Sequence, residues 1–117
     1  MKFTQAFEKI KEKIKNADVS DIEDFAVQVT LTNKDCGGIF YIQIKEGHLI
    51  IEPYDYRDNN AALVTMYGVF NKLLDGKTAP MKAVEKGTLY TTGDAVRAFE
   101  ILSRLETPKP IGKETKN

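Results

Sequence analysis

The sequence predicts an α+β fold, a five-stranded and mainly antiparallel sheet with helices packed on one of its faces. Three observations predict it. The apolar residues near the start recur at helical spacing, and those between Phe25 and Glu52 alternate with polar neighbours. After Met66 helical spacing returns, broken by one strand-like stretch before a last helix. Helical pattern on both sides of a block of alternating strands describes a two-layer arrangement with the helices segregated from the sheet.

The first element is set by Phe3, Phe7, Ile10 and Ile14, at spacings of four, three and four. They form one stripe of a helix of about four turns, whose other face carries Glu8, Lys9, Lys11, Glu12, Lys13 and Lys15. Asn16 to Asp24 is polar and acidic and reads as a connection. From Phe25 to Thr32 the period becomes two, with Phe25, Val27, Val29 and Leu31 on one face and Ala26, Gln28, Thr30 and Thr32 on the other. The turn formers from Asn33 to Gly38 lead into a second alternating run, Ile39 to Lys45. Glu46-Gly47 then leads into a third, His48 to Glu52, which Pro53 ends because proline has no N–H for the ladder. These three strands form a meander.

Tyr54 to Asn60 is a polar loop, and Ala61 to Met66 is a short fourth strand in which Ala62, Val64 and Met66 share a face. Val69, Phe70, Leu73 and Leu74 return to helical spacing. Gly76 is placed for the left-handed conformation after their last turn, Pro80 suits the first turn of the next helix, and Gly87 closes it. Thr88 to Thr92 has strand propensity. Asp94 is the predicted N-cap of a final helix bearing Ala95, Ala98, Phe99, Leu102 and Leu105. The predicted domain therefore covers residues 1–106. Thr107-Pro108-Lys109-Pro110 blocks further helix, and 107–117, with Ile111 alone among polar and charged residues, is expected to be a flexible tail.

Composition narrows function. A chain of 117 residues accommodates one hydrophobic core, and seventeen basic against seventeen acidic side chains leave no net field for nucleic acid. No run of about eighteen apolar residues exists to span a bilayer, and the N-terminus lacks the apolar stretch of a signal peptide, so the chain is expected in the cytoplasm without stable membrane insertion. The lone Cys36 fits a reducing compartment.

Chemistry-bearing residues are sparse. His48 is the one histidine and reads as a strand residue beside a turn, while Ser20 and Ser103 read as a cap and a helix-face residue. No Gly-x-Ser-x-Gly, Gly-x-Gly-x-x-Gly or Walker sequence occurs. Cys36 with His48 makes an inadequate soft metal set. The acidic groups Asp18, Asp21, Glu23 and Asp24, or Asp55 and Asp58, lack calcium-loop spacing and read as solvated surface. No catalytic centre, metal site or cofactor is predicted. What is abundant is apolar surface on short helices opposite a sheet face, and periodicity alone assigns such residues to an ordinary core as readily as to a pocket.

A more specific signal lies in order along Ala61 to Asp94: Ala61-Ala62-Leu63-Val64-Thr65-Met66, then Phe70-x-x-Leu73-Leu74-x-Gly76-Lys77, then Pro80-x-x-Ala83-x-x-x-Gly87-x-Leu89-x-x-x-Gly93-Asp94. This run resembles the sterol carrier protein 2 family, and the preceding helix and meander extend the resemblance to roughly Phe3–Leu105. The resemblance implies a non-catalytic domain that binds and transfers a fatty acid, fatty acyl-CoA or sterol-like ligand in an apolar cavity between sheet and helices. By the same resemblance Met66, Phe70, Leu74, Met81, Val84, Phe99 and Leu102 would line that cavity, with the chain touching membranes transiently. Val84 and Glu85 stand where the family often has bulky aromatics, and the chain ends Lys116-Asn117, without a peroxisomal address. A free-standing bacterial member carrying an acyl chain is the expectation. The rival reading is a protein-interaction or homodimer-forming module with a collapsed cavity and an exposed apolar patch.

Overall fold

The computed structural model describes residues 1–105, and the tail expected over 107–117 lies outside them. Along the chain run helix α1 (Phe3–Ile14), strands β1 (Phe25–Leu31), β2 (Gly38–Lys45), β3 (His48–Glu52) and β4 (Ala61–Thr65), helices α2 (Tyr67–Leu74) and α3 (Pro80–Lys86), strand β5 (Leu89–Gly93) and helix α4 (Ala95–Leu105). Helix α1 spans its apolar stripe from Phe3 to Ile14, 12 residues that make a little over three turns rather than about four.

The sheet order is β3-β2-β1-β4-β5. The meander is antiparallel as expected, and β4 and β5 are antiparallel, but β4 lies parallel to β1, with Val29 opposite Leu63. The sheet is therefore mixed. The loop 53–60 carries the chain from the β3 edge across to the far side of β1, and β1 becomes the central strand. Asn60 fixes that insertion: its side-chain oxygen accepts the Ala26 N–H at 2.8 Å, its own N–H donates to the Ala26 carbonyl at 2.8 Å, and its carbonyl accepts the Asp94 N–H at 2.9 Å. A side chain on Gly93 (φ +78°) would collide with that Asn60 carbonyl, so only glycine fits the end of β5.

The inner face of the sheet, including Val27, Val29, Phe40, Ile42, Leu63 and Leu89, is buried against Phe7 and Ile10 of α1, Phe70 and Leu74 of α2, and Ala98 and Leu102 of α4. Alternation delivers this: each strand sends every second side chain inward. Three rings knit the layers together, Phe7 to Phe40 with centroids 5.7 Å apart and Phe40 to Phe70 at 5.8 Å, both edge-to-face. Lys13 of α1 donates to Asn71 and pairs with Asp75 at 3.0 Å each, which ties the end of α1 to the end of α2.

The outer face is covered in part by Tyr56 from the 53–60 loop. Its ring lies 4.9 Å from that of Tyr41, its N–H donates to the Gln28 side chain, and its hydroxyl accepts from Gln43. One further row, Ile39, Thr30, Val64 and Tyr90 across β2, β1, β4 and β5, runs alongside the row that Tyr56 covers.

Candidate functional site

Helix α2 ends at Leu74, and Gly76 (φ +71°) turns the chain away before Pro80 starts α3. Between Leu74 and Pro80 the backbone carries Gly76 and Ala79, whose small side chains leave space against the middle of α4. The result is an open groove of about 410 Å³ between the end of α2, the 75–79 connection and α4. Its floor is apolar: Leu73, Leu74 and Leu102 are buried, and Phe99 is half-buried with its ring at the wall. The rim is polar, made by Thr78, Glu100 and Ser103.

Two of the rim residues, Glu100 and Ser103, are already engaged. The Ser103 hydroxyl donates to the Glu100 carbonyl at 2.6 Å, and the Glu100 carboxylate pairs with Arg97 one turn earlier at 3.5 Å. A turn further on, Arg104 donates to Asp21 at 2.8 Å and anchors the end of α4 to the α1–β1 connection. This guanidinium holds the Asp21 carboxyl below its ordinary range, while the Ser20 amide and hydroxyl do the same for Asp18. The groove thus offers apolar contact and a few polar rim atoms, and no reactive pair lines it.

The residues expected at a cavity wall fall into separate places. Leu74, Phe99 and Leu102 come together in this groove. Phe70 is fully buried beneath it, against Phe40. Val84 is half-buried and packs on the core, and Met81 is 57 % exposed on α3. Met66 lies in a second, smaller concavity of about 300 Å³ with Val64, Val69 and Tyr90, where β4 passes into α2. The groove also uses Leu73, Gly76, Thr78, Ala79, Pro80, Glu100 and Ser103, which sequence reasoning had not placed at a site. The usable signal was the Gly-x-Thr-Ala-Pro connection between two short helices, where continuous helix packing must lapse.

Both grooves are open to solvent, and the space between sheet and helices holds the packed Phe7, Phe40 and Phe70 rings. The enclosed cavity implied by the resemblance is not shown. Among the described residues no three His, Cys, Asp or Glu side chains converge as a metal site, and no helix is long and apolar enough to cross a membrane. Cys36 is buried and lines neither groove. Burial and the neighbouring Asp35 push its thiol up, away from the thiolate form.

Residues 3–101 match the SCP-2 sterol transfer family. The chain belongs to that family. Solved structures repeat the fold at low identity. The sterol carrier protein 2 of Yarrowia lipolytica in its apo form is 18% identical over 91% of this chain and 80% of its own, with a TM-score of 0.55. Palmitated SCP2L2 from Aedes aegypti is 11% identical over 92% of this chain and all of its own, with a TM-score of 0.60. The inverting sec-alkylsulfatase Pisa1 from Pseudomonas sp. contains a similar unit, 14% identical with a TM-score of 0.72. The alignment covers 84% of this chain but 16% of the sulfatase. No curated protein matches the chain in sequence. The SCP-2 fold is therefore found both as a lipid-carrying domain and as a unit of a larger enzyme.

Proposed function

We propose that this SCP-2 family member is a non-catalytic, cytoplasmic lipid carrier whose residues 1–106 form one binding domain. In this reading an acyl chain or a sterol-like body lies in the groove between α2, the 75–79 connection and α4. The observation that carries it is the apolar floor of Leu73, Leu74, Phe99 and Leu102 in a space of about 410 Å³, within the ordinary range for small-molecule sites. Burying a chain of roughly ten methylenes contributes about 8 kcal/mol at ~0.8 kcal/mol each. Before ordering costs, that corresponds to a dissociation constant near the micromolar range. The palmitated state of the mosquito relative supports an acyl ligand. The placement of Cys36 and His48 away from the groove supports binding without chemistry. Release to a membrane by transient contact belongs to the same proposal.

The test is a titration of delipidated protein with a fluorescent long-chain acyl probe, displaced by fatty acid, acyl-CoA and sterol in turn. Saturable uptake of about one probe per chain, lost in Phe99→Glu while circular dichroism stays native, is the expected result. A second reading, an interaction module, is favoured by the ring packing of Phe7, Phe40 and Phe70, which fills the space a tunnel would occupy. No probe uptake by folded protein would select it.

A further inference from the structure

The chain is neutral overall, but its fold separates the charges. Residues 16–66, which supply β1 to β4 and the loop on the outer face, hold nine acidic side chains against three basic ones, Lys34, Lys45 and Arg57. The helical portions hold the reverse: residues 1–15 and 67–105 carry eleven basic side chains against six acidic. A balanced total thus hides two opposite local fields.

Around the groove the basic excess is uncompensated. Lys72 lies in the last turn of α2, Lys77 stands in the 75–79 connection between the groove residues Gly76 and Thr78, and Lys82 and Lys86 are one turn apart on α3. All four are exposed, and among the described residues none is paired with a carboxylate. The nearby acids are taken elsewhere, Asp75 by Lys13 and Glu100 by Arg97, which leaves Glu85 as the one unpaired acid of 72–86. Between Lys77 and Lys82, directly after the groove residue Pro80, Met81 is 57 % exposed.

We propose that this rim, Lys72, Lys77, Met81, Lys82 and Lys86, is the surface that docks on an anionic lipid bilayer, with the groove toward the bilayer and the acidic outer-face loop turned away. Lysines reach phosphate head groups while their stems lie along apolar surface, and the flexible Met81 side chain enters the boundary between head groups and acyl chains. The acids of 16–66 are repelled by the same surface, so the two fields orient the molecule before it touches. A nucleic acid would match the lysines but would give Met81 nothing apolar to bury against. The purpose of such docking, passage of an acyl chain between groove and bilayer, rests on the carrier reading; its place rests on the charges.

Cosedimentation of the full chain with vesicles of phosphatidylcholine, with and without phosphatidylglycerol, tests this. The expected result is binding to the anionic vesicles alone, weakened by salt. Lys77→Glu/Lys82→Glu should bind more than about tenfold more weakly, since each lysine near such a surface is worth about fivefold in affinity. Lys45→Glu/Arg57→Glu, the same charge change on the sheet side, should bind as wild type does. The chain has no tryptophan, so Met81→Trp reports its own surroundings: its emission should shift to the blue on anionic vesicles, while that of Tyr54→Trp, in the outer-face loop, should not. Absence of vesicle binding, equal weakening of the two double variants, or an unshifted Met81→Trp would overturn the proposal, as would tighter binding to duplex DNA than to the vesicles. Lys77→Gln/Lys82→Gln replaces the glutamate pair if circular dichroism shows the latter unfolded. Acyl-probe uptake without vesicle binding would remove this surface alone, and vesicle binding without probe uptake would remove the carrier reading and keep the surface.

Discussion

The ring of Phe40 on the second strand meets the ring of Phe70 on α2 edge-to-face at 5.8 Å, with both side chains fully buried. This contact couples the sheet to the helix whose last turn supplies Leu73 and Leu74 to the groove floor. Phe70→Ala should therefore destabilise the fold by about 3–5 kcal/mol, the usual cost of an unfilled aromatic site. Urea unfolding checks it, and Phe70→Leu should lose less. A change under about 1 kcal/mol for the alanine variant would mean the layers collapse into the space.

Helix α2 receives no cap from its own Met66. The side-chain oxygen of Asn33, in the first hairpin turn, accepts the Tyr67 N–H at 2.7 Å instead. Asn33→Ala should cost about 0.5–2 kcal/mol, while Asn33→Asp, which keeps the acceptor, should cost less. Hydrogen exchange should show the loss concentrated in the first turn of α2. Uniform loss across the chain would argue against a capping role.

Cys36 is 3 % exposed, and burial is the leading reason its thiol is pushed up. A disulfide reagent at neutral pH should modify folded protein at the slow rate of local opening and denatured protein at once. Prompt stoichiometric modification of the folded chain would contradict this burial.

The Arg104 hydrogen bond at 2.8 Å lowers the Asp21 carboxyl. A carboxyl whose folded value is depressed adds stability that is present above its unfolded value and disappears as pH falls through the lower folded one. The contact should thus persist at neutral pH and break in acid, below the ordinary carboxylate range. Both partners are exposed, so salt should weaken it. A carboxyl titration by NMR should place Asp21 below its position in Arg104→Gln, and equal midpoints would show the contact is not populated in solution.

Much of this architecture was legible in periodicity and punctuation. Phe3, Phe7, Ile10 and Ile14 announce α1, and the two-residue alternation from Phe25 onward announces the meander with its inward set. Local signals acted where the responsible atoms are neighbours in the chain: Pro80 starts α3, Gly87 ends it with φ +79°, and the Asp94 side chain accepts the Arg97 N–H at 3.1 Å as the cap of α4. These are short-range sterics and hydrogen bonds, which a linear pattern records. The same ordered run of glycines, proline and apolar residues was enough to identify the SCP-2 family.

Only the tertiary structure decided where β4 goes and which apolar residues are available to a ligand. Its parallel insertion beside β1 depends on Asn60 reaching Ala26, 34 residues earlier, and the cap of α2 comes from Asn33 at the same separation. Neither partner is marked by local pattern. Phe70, Leu74, Met81 and Val84 are alike as apolar helix residues. Yet Phe70 is core, Leu74 is groove floor, Val84 packs part-way and Met81 faces solvent, because burial depends on what lies opposite. Apolar periodicity states that a side chain has a buried face to find. The packed neighbours, and the gap left where Gly76 and Ala79 carry almost no side chain, determine whether that face becomes core or site.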